Sequence, residues 1–240
     1  MATRTELRQD AFKLAVSILQ TAKDPEHLLK HNKYFEITLK SDLHKKYFKK
    51  LLKHPQIQPL VEERYAVPWP TLDDMSAMPK GSLGFCMQKR FNQLAIDPLP
   101  AMNQSREKIL KSSPDEEYLD SRQAITHDIY HLVLGLPITA AGEAAFAAYF
   151  MISNQEPALV AGLAMWMTHS FINPTESRII WEGINFGIQL GLAGVFLQGC
   201  RWEEGWERSL EEWRAELGLL PLLNDSPFQD ELHRYESANY

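Results

Sequence analysis

The sequence is poor in cysteine. Its 240 residues include two cysteines, Cys86 and Cys200, which lie far apart and form no CxxC pair. A paired-cysteine redox or zinc motif is therefore excluded. We interpret both residues as ordinary thiols, as expected for a protein in a reducing compartment.

The sequence also lacks an excess of positive charge. Lys and Arg together number 25 against 31 Asp and Glu, which gives a formal net charge of −6. Nucleic-acid binding depends on a basic surface that neutralises phosphates. The composition therefore argues against nucleic acid as a general partner.

No segment at the start of the chain has the pattern of a targeting signal. Residues 1–10 carry two arginines and two acidic residues without an apolar run. They predict neither a secretory signal nor a transit peptide. We therefore expect a cytoplasmic protein of a bacterium, one that can lie peripherally on the inner membrane.

Long, purely apolar runs are missing too. Residues 157–172 are apolar but short for a membrane span, and residues 179–199 are interrupted by Glu182, Asn185 and Gln189. Membrane spans tolerate such groups only where they face protein or water. We interpret both runs as buried helices that line an apolar cavity.

Alternation of apolar and polar residues with a period of two, which is typical of strands, is almost absent. Apolar residues recur instead at helical spacing. The sequence therefore predicts an all-α fold, a single multi-helix domain over residues 1–240. After a first apolar stripe from Leu7 to Leu19, the predicted helices span residues 41–53, 56–65, 83–94, 114–134, 139–153, 158–171, 176–198 and 203–217.

One segment departs from the acidic average. Residues 44–53 interleave lysines with Tyr47, Phe48, Leu51 and Leu52. Such a helix can lie on an anionic membrane surface. We favour the alternative, a solvated helix whose apolar side faces the core, and keep membrane contact as a hypothesis.

The main chemical signal is the segment from Thr126 to His131. Residues four apart project from the same face of a helix, so His127 and His131 can aim their imidazoles at one cation. Asp128 lies about 100° round the helix from His127. It can reach the same ion from the side or hold a histidine ring in its tautomer.

A fourth candidate ligand follows a helix stop at Gly135-Leu136-Pro137. Thr139 can cap a new helix, which places Glu143 near its first turn. The Glu143 carboxylate can turn back toward the preceding helix end. Two histidines, a glutamate and an aspartate suit a divalent ion with an open position, zinc first, with iron, manganese or magnesium as alternatives.

The spacing also has a second interpretation. Two histidines four residues apart often cover a surface or fill a core, and Glu143 then only complements a helix dipole. The motif differs from the HExxH of metalloproteases, because Asp128 is not the glutamate that serves there as general base. A protease is therefore not predicted.

The motif and its flanks resemble the coenzyme Q biosynthesis protein 4 family. The signature is His127-Asp128-x-x-His131, eleven residues, then Glu143. The similarity spans about residues 78–219, and the N-terminal helices within 1–65 are less telling. The flanking matches are Tyr118 and Arg122, Leu134-Gly135-Leu136-Pro137, Gly142-Glu143, residues 79–84, and Trp202, Trp206, Leu210, Arg214 and Gly218.

The resemblance implies a largely helical fold and a place in prenylquinone synthesis. It also implies a metal held by His127, Asp128, His131 and Glu143, which would be the catalytic groups. The family is linked to removal of the carboxyl group from C1 of a polyprenylated benzoate, with hydroxylation there. It is also described as an organiser of the other biosynthetic proteins on the inner mitochondrial membrane.

Three positions depart from the family pattern. Ala124 stands where the family usually has a second arginine, and Ala147 and Phe150 stand where it usually has a lysine and a glutamate. These residues replace charges by apolar groups. We therefore expect the accepted headgroup to differ from a ubiquinone precursor.

Two further residues are candidate substrate-binding groups. Arg122, within two turns of His127, can pair with a carboxylate or phosphate through its planar fork, or it can form a salt bridge between helices. Tyr130 can donate a proton near the metal, or it can pack inside the fold.

A prenyl tail would need a long apolar channel, in which each buried CH₂ contributes about 0.8 kcal/mol. Two apolar helices can provide the lining, through Leu159, Leu163, Trp166, Met167, Phe171, Ile180, Ile184, Phe186, Leu190 and, after them, Phe196. We therefore predict an apolar lipid channel beside a metal site between helices.

Two functions fit these expectations. The first is a metal-dependent enzyme, a decarboxylase or hydroxylase of a polyprenylated aromatic precursor. The second is a non-catalytic isoprenoid-lipid-binding scaffold that organises other quinone-biosynthesis enzymes. A metal phosphohydrolase is a third interpretation. The expected partners are a prenylated lipid or prenyl phosphate, other quinone-biosynthesis proteins, a membrane surface and a second copy in a homodimer.

Overall fold

The structure is a computed structural model. It describes residues 4–25, 33–95 and 113–235, together with Leu99, Asn103, Arg106, Glu107, Leu110 and Lys111. The predicted all-α class is confirmed. Within these residues the regular structure is helical, apart from one isolated bridge between Ser82 and Ser209.

The helices follow one another along the chain. They are α1 (Arg4–Lys23), α2 (Lys33–Leu39), α3 (Asp42–Leu51), α4 (Gln58–Glu63), α5 (Leu72–Ser76), α6 (Leu83–Gln93), α7 (Asp115–Leu134), α8 (Ala140–Ser153), α9 (Pro157–Ile172), α10 (Pro174–Leu192), a 3-10 helix (Trp202–Glu204), α11 (Leu210–Glu216), α12 (Leu220–Leu223) and α13 (Gln229–His233).

Side-chain caps start four of these helices, and Thr139 is the one predicted above. The side-chain oxygens of Ser41, Thr71, Ser82 and Thr139 each accept a hydrogen bond from the backbone N–H three residues later, at 3.1–3.4 Å. The first N–H groups of a helix have no partner inside the helix. These caps supply one and so fix where each helix begins.

Two predicted helices are wrong in extent. The helix predicted over 176–198 ends at Leu192, because Gly194 adopts φ +77°, a left-handed conformation that stops a helix. The helix predicted over 203–217 is the 3-10 helix followed by α11. Ser209 and Glu212 form a capping box there, which begins a new helix.

The described residues group into two compact units. The first unit combines the chain up to Lys50 with Ile138–Gly194. In it α8 packs against α9 and α10, and α9 packs against α1 and α2. The α8–α10 contact is close, because a Cβ placed on Gly187 would collide with the backbone carbonyl of Ala145.

The basic segment forms α3. Tyr47 and Phe48 are buried, while Lys45, Lys46 and Lys49 are exposed. The interpretation of a solvated helix with its apolar side toward the protein is therefore confirmed. Contact with a membrane stays a prediction.

The second unit combines Leu51–Pro137 with the chain from Val195 onward. Its helices α4, α6 and α11 pack against α7. Backbone hydrogen bonds tie the start of α6 to the start of α11: the Leu83 N–H donates to the Arg208 carbonyl at 2.8 Å, and the Leu210 N–H donates to the Gly81 carbonyl at 2.9 Å. The prediction of a single domain over 1–240 stays a prediction.

Among the helices in the described ranges, none has both the length and the apolarity that crossing a membrane would require. The predicted channel-lining residues of α9 and α10 are mostly buried, but Met167 and Phe171 are 40% and 87% exposed. The apolar lipid channel itself stays a prediction.

Candidate metal centre

Helix α7 carries the histidine motif, and both of its ends are defined by local sequence. Asp115, Glu116 and Glu117 lie in its first turn, where negative charge complements the helix dipole. At the other end Gly135 has φ +64°, and the Leu136 N–H donates to the His131 carbonyl at 2.8 Å. The predicted helix stop is thus confirmed, and His131 lies in the last turn before it.

His127 and His131 lie on the same face of α7, as their spacing predicts. Their ring centroids are 4.6 Å apart. The His131 side chain is completely buried, whereas that of His127 is 36% exposed. One imidazole therefore lies inside the protein and its neighbour reaches solvent, an arrangement that would leave an ion accessible from one side.

The tautomer of His131 follows from its backbone contact. Its Nδ1 lies 3.2 Å from the Leu136 carbonyl oxygen. A carbonyl only accepts hydrogen bonds, so Nδ1 is the donor in this contact, and in a neutral ring the lone pair then belongs to Nε2. Metal-binding histidines are commonly oriented in this way, with the other ring nitrogen donating to a carbonyl or carboxylate.

Asp128 lies beside the pair. Its Oδ1 is 3.6 Å from Nδ1 of His127. Burial by itself raises the pKa of Asp128, but the hydrogen bond and charge of His127 and the positive charge of Arg90 together hold this pKa below its ordinary value. The carboxylate is therefore ionised at neutral pH and fits either predicted role, ligand or partner of a histidine.

Arg90 is a residue that the sequence analysis missed. It is fully buried in α6, and its Nη1 lies 3.8 Å from Oε1 of Glu231 in α13. Its charge acts on Asp128. The sequence does hold a signal for the burial of Arg90. It follows Leu83, Cys86 and Met87 on the apolar face of a predicted helix.

Glu143 lies in the first turn of α8, where the sequence predicts it, and Thr139 caps that helix. Its side chain is half-buried, and its charge adds to the burial that raises the pKa of Tyr34 to about 12. The second unit therefore brings His127, Asp128 and His131 together, while Glu143 belongs to the first unit. Its role as a ligand stays a prediction.

Arg122 forms the inter-element salt bridge that the sequence left as an alternative. Its Nη1 and Nη2 donate to the two carboxylate oxygens of Glu203 at 2.9 and 3.1 Å, and Nη2 also donates to the Cys200 carbonyl at 2.8 Å. Bidentate pairing of this kind is among the strong interactions of arginine. Binding of a substrate by Arg122 stays a prediction.

Tyr130 is buried, and its ring centroid lies 6.1 Å from that of Trp202. Burial raises the pKa of its phenol, so the group stays protonated at neutral pH. Packing, the second role considered for Tyr130, is visible in these contacts. A role in proton donation stays a prediction.

The fold and the site together define an all-α protein with a histidine–aspartate motif on the last turns of one long helix. The model of the family described as "Coenzyme Q (ubiquinone) biosynthesis protein Coq4" matches residues 4–222. The chain belongs to this family, and the resemblance stated from its motifs is confirmed. The match begins at residue 4. It therefore includes the N-terminal helices, for which the motifs gave less specific evidence of the family.

Curated relatives carry the same family name. The "Ubiquinone biosynthesis protein coq4, mitochondrial" of Botryotinia fuckeliana (strain B05.10) is 30% identical over 147 residues, which cover 60% of this chain and 50% of the relative. The corresponding protein of Paracoccidioides brasiliensis (strain Pb18) is 28% identical over 174 residues, 70% of this chain and 58% of the relative. The chain thus spans about half the length of the first of these relatives.

A solved structure shares the fold. It is a crystal structure from Nostoc punctiforme PCC 73102 of a protein provisionally described as a ubiquinone biosynthesis protein. It aligns with a TM-score of 0.71 and 23% sequence identity, and the alignment covers 87% of this chain and 98% of that chain. At this identity the likeness shows the fold alone.

Proposed function

We propose that the chain binds one divalent metal ion, zinc first among the candidates, and acts with it on a polyprenylated aromatic precursor in ubiquinone biosynthesis. The observation that carries the proposal is the contact of His131 Nδ1 with the Leu136 carbonyl at 3.2 Å. This contact makes Nε2 the ligand atom of a buried histidine that shares a helix face with His127.

In this proposal His127 and His131 each contribute an imidazole nitrogen, and Glu143 contributes a carboxylate oxygen. Nitrogen and oxygen ligands in this combination are typical of catalytic zinc sites, which keep a position open for water or substrate. Five residues separate α7 from α8, so the chain connection allows Glu143 to reach the last turn of α7. Asp128 completes the set from the side or holds the His127 ring.

A divalent ion, when bound, would stabilise negative charge on a carboxylate or phenolate oxygen of the substrate. The residues of the chain supply the rest. Nδ1 of His131 is directed at the Leu136 carbonyl, which leaves Nε2 for the ion. Asp128 stays ionised because its pKa lies below the ordinary value, and the buried position of His131 keeps bulk water from one side of the site.

The finer form of the proposal is oxidative decarboxylation at ring C1. The bond from C1 to the carboxyl carbon breaks, carbon dioxide leaves, and C1 gains a hydroxyl group whose oxygen comes from dioxygen. The second oxygen atom leaves as water, after an external reductant supplies two electrons and two protons. The prenyl tail would occupy the apolar channel predicted for the first unit.

His131→Ala tests the proposal, and His233→Ala is the matched control because His233 is an exposed histidine of the same unit. We expect about one divalent ion per wild-type chain and per His233→Ala chain, measured by elemental mass spectrometry, and less than a tenth of that in His131→Ala. Product formation from a prenylated benzoate should be lost with the metal.

If His131→Ala kept the ion, the proposed metal site would be rejected. Loss of the ion with full product formation would reject metal-dependent catalysis. Mass spectrometry of lipids that purify with the wild-type chain tests the prenylated ligand in the same samples.

A further inference from the structure

A second group of buried charges lies on the other side of α7. Arg122 precedes His131 by nine residues, and at about 100° per residue the two side chains leave the helix in roughly opposite directions. Around Arg122 lie Tyr65, Trp69, Arg106 and Glu203, and we call these five residues the buried arginine cluster. All belong to the second unit, and each is less than 9% exposed.

Arg106 is the central residue of the cluster. It is 1% exposed, and its Nη2 donates to Oδ1 of Asn103 at 2.8 Å. Within the part of the chain that the structure describes, its Nε and Nη1 have no hydrogen-bond acceptor. A buried guanidinium with unused N–H groups is unusual, because a buried donor without an acceptor loses its hydrogen bonds to water, and the cost is greater when the group is charged.

The charges of the cluster do not balance. Both carboxylate oxygens of Glu203 are engaged by Arg122. The pKa of Arg106 is lowered to about 10: burial is the largest influence, the charge of Glu203 opposes it, and the charge of Arg122 acts in the same direction as burial. Two guanidinium groups thus share one buried carboxylate, and a buried positive charge without a full counter-charge is unfavourable.

The other unused polar atoms of the cluster can donate as well. The Tyr65 hydroxyl, the Trp69 Nε1 and the Arg122 Nε are buried without a hydrogen-bond partner among the described residues. The Arg106 Cζ lies 5.8 Å from the Trp69 ring centroid, and the Arg122 Cζ lies 5.1 Å from that of Tyr65. The aromatic rings therefore line the two guanidinium groups, and the cluster presents N–H and O–H donors.

We propose that the buried arginine cluster is a binding site for a small oxyanion, a phosphate or a carboxylate, held by Nε and Nη1 of Arg106. The planar guanidinium fork matches two oxygens of such a group. The Trp69 Nε1 and the Tyr65 hydroxyl donate to the remaining oxygens. The anion gives Arg106 a counter-charge, as Glu203 does for Arg122.

This site does not rest on the proposed metal function. Arg122, the one cluster residue on α7, leaves this helix on the side away from His131, so loss of the metal in His131→Ala leaves the prediction for Arg106 unchanged. The anion is either a free ion or the charged group of a larger ligand, and the shared chemistry is a compact group with two or more oxygens.

The test measures the melting temperature of the full chain in a low-anion buffer, with inorganic phosphate or acetate added. Arg106→Gln removes the charge and the fork. Arg208→Gln is the matched control, because Arg208 lies at the surface of the same unit and pairs with Glu216. We expect saturable stabilisation of the wild type and of Arg208→Gln, and at least about tenfold weaker anion binding by Arg106→Gln.

A second readout separates anion binding from a structural role. Without added anion, Arg106→Gln should melt at the same temperature as the wild type or higher, because the substitution removes a buried charge. With phosphate or acetate the order should reverse. Equal destabilisation of Arg106→Gln with and without anion would overturn the proposal and leave Arg106 a structural residue.

A direct titration decides the matter if Arg106→Gln does not fold. Trp69 belongs to the cluster and its ring lies 5.0 Å from that of Trp206, so anion binding should change the tryptophan fluorescence of the wild type. Trp69→Phe keeps an aromatic ring but loses the N–H donor, and it should bind phosphate or acetate more weakly. If neither anion gives a saturable change with the wild type, the site does not exist. A response to one anion alone identifies the class of ligand.

Discussion

At the scale of single residues, buried arginines connect distant parts of the second unit. The guanidinium of Arg214 donates to the carbonyls of Val133 at 3.1 Å and Leu132 at 2.9 Å, in the last turn of α7, and to that of Leu232 at 3.4 Å. The last four carbonyls of a helix have no partner inside the helix. Arg214 therefore supplies hydrogen-bond donors to the last carbonyls of α7, next to His131. Its positive charge also interacts favourably with the helix dipole there.

Replacing Arg214 by Met should lower the free energy of unfolding by about 3 kcal/mol. The substitution keeps much of the apolar stem but leaves buried carbonyls without a donor, and each such group costs about 1–3 kcal/mol. Urea unfolding followed by circular dichroism measures the change. The control is Arg178→Met, since the Arg178 side chain is 91% exposed and surface pairs contribute about 0–1 kcal/mol. Equal effects of both substitutions would contradict this account.

Asp120 predicts a pH dependence of stability. Burial, together with the charges of Glu116 and Glu117, raises its pKa from the ordinary value of 3.8 to about 6. A raised pKa in the folded state means that the contribution of the group is fully present below pH 3.8 and is lost as the pH rises through about 6. The ionised Asp120 thus destabilises α7 at neutral pH.

Asp120→Asn should therefore raise the free energy of unfolding at pH 7 by about 1 kcal/mol, the full linkage value being reduced because the site is partly open to solvent. Below pH 4 the variant and the wild type should be equally stable. Thermal unfolding across this pH range measures the difference. A constant difference at every pH would show that Asp120 does not titrate as described.

The position of a side chain could be predicted from the sequence where the local helix geometry alone determines it. The spacing of His127 and His131 placed them on one face, because helical geometry alone decides that. Arg90 and Arg106 were not predicted, because their burial depends on distant partners such as Glu231 and Trp69. For Arg122 the sequence left two roles open, since no pattern within α7 reveals Glu203.

At the scale of elements, the α8–α10 pair shows how small residues permit close packing. Helix α8 has seven alanine or glycine residues among its first nine, and Gly187 and Gly191 of α10 approach its backbone and Ile152. Side chains on the facing surfaces set the distance between two helix axes. Without Cβ atoms at these positions, α8 and α10 can lie closer together than larger residues would allow.

Gly187→Ala should lower the free energy of unfolding by about 2 kcal/mol or more, because the new methyl group collides with the Ala145 carbonyl and α8 and α10 must separate.

Gly162→Ala is the contrasting variant. A Cβ there would lie 3.9 Å from the Tyr34 hydroxyl and 4.0 Å from Leu159 Cδ2, which are ordinary contacts. It should stabilise α9 by about 0.5–1 kcal/mol, since alanine favours a helix over glycine. Chemical denaturation measures the change in the free energy of unfolding for both variants. A gain in stability for Gly187→Ala would contradict the described contact.

Helix starts were predicted better than helix ends. Caps such as Thr139 act through the backbone three residues away, so sequence spacing reveals them. The end of α10 was placed too late, because apolar residues continue beyond Leu192 and conceal the turn at Gly194. The break before α11 was missed for a similar reason, since Trp206 and Leu210 continue an apolar pattern across the loop.

At the scale of the whole molecule, the family match and the shared fold extend beyond the motif to nearly the full described chain. The sequence predicted the all-α class because helical periodicity occurs in almost every segment. It did not predict two compact units, since their boundaries follow packing between distant stretches rather than composition. The cellular location, the lipid partner and the homodimer stay predictions.

If the chain holds a metal ion, the ion should stabilise the folded protein as a whole, because a ligand that binds the native state alone shifts the unfolding equilibrium. Zinc at 100 times its dissociation constant adds about 2.7 kcal/mol. Treatment with a chelator should lower the melting temperature of the wild type, and zinc should restore it. The His131→Ala variant should respond to neither. An unchanged melting temperature of chelated wild type would argue against a bound ion.

The two units are interleaved along the chain, which passes from one to the other after Lys50, after Pro137 and after Gly194. A protein divided in this way cannot be shortened to an N-terminal or C-terminal half that keeps either unit complete. During synthesis the first unit has to wait for residues near 194, and the second for the segment that carries Arg214, before each can close its core. Partly made chains therefore expose apolar helices for longer than a protein built from consecutive domains, and chaperones that hold nascent chains should matter for its yield.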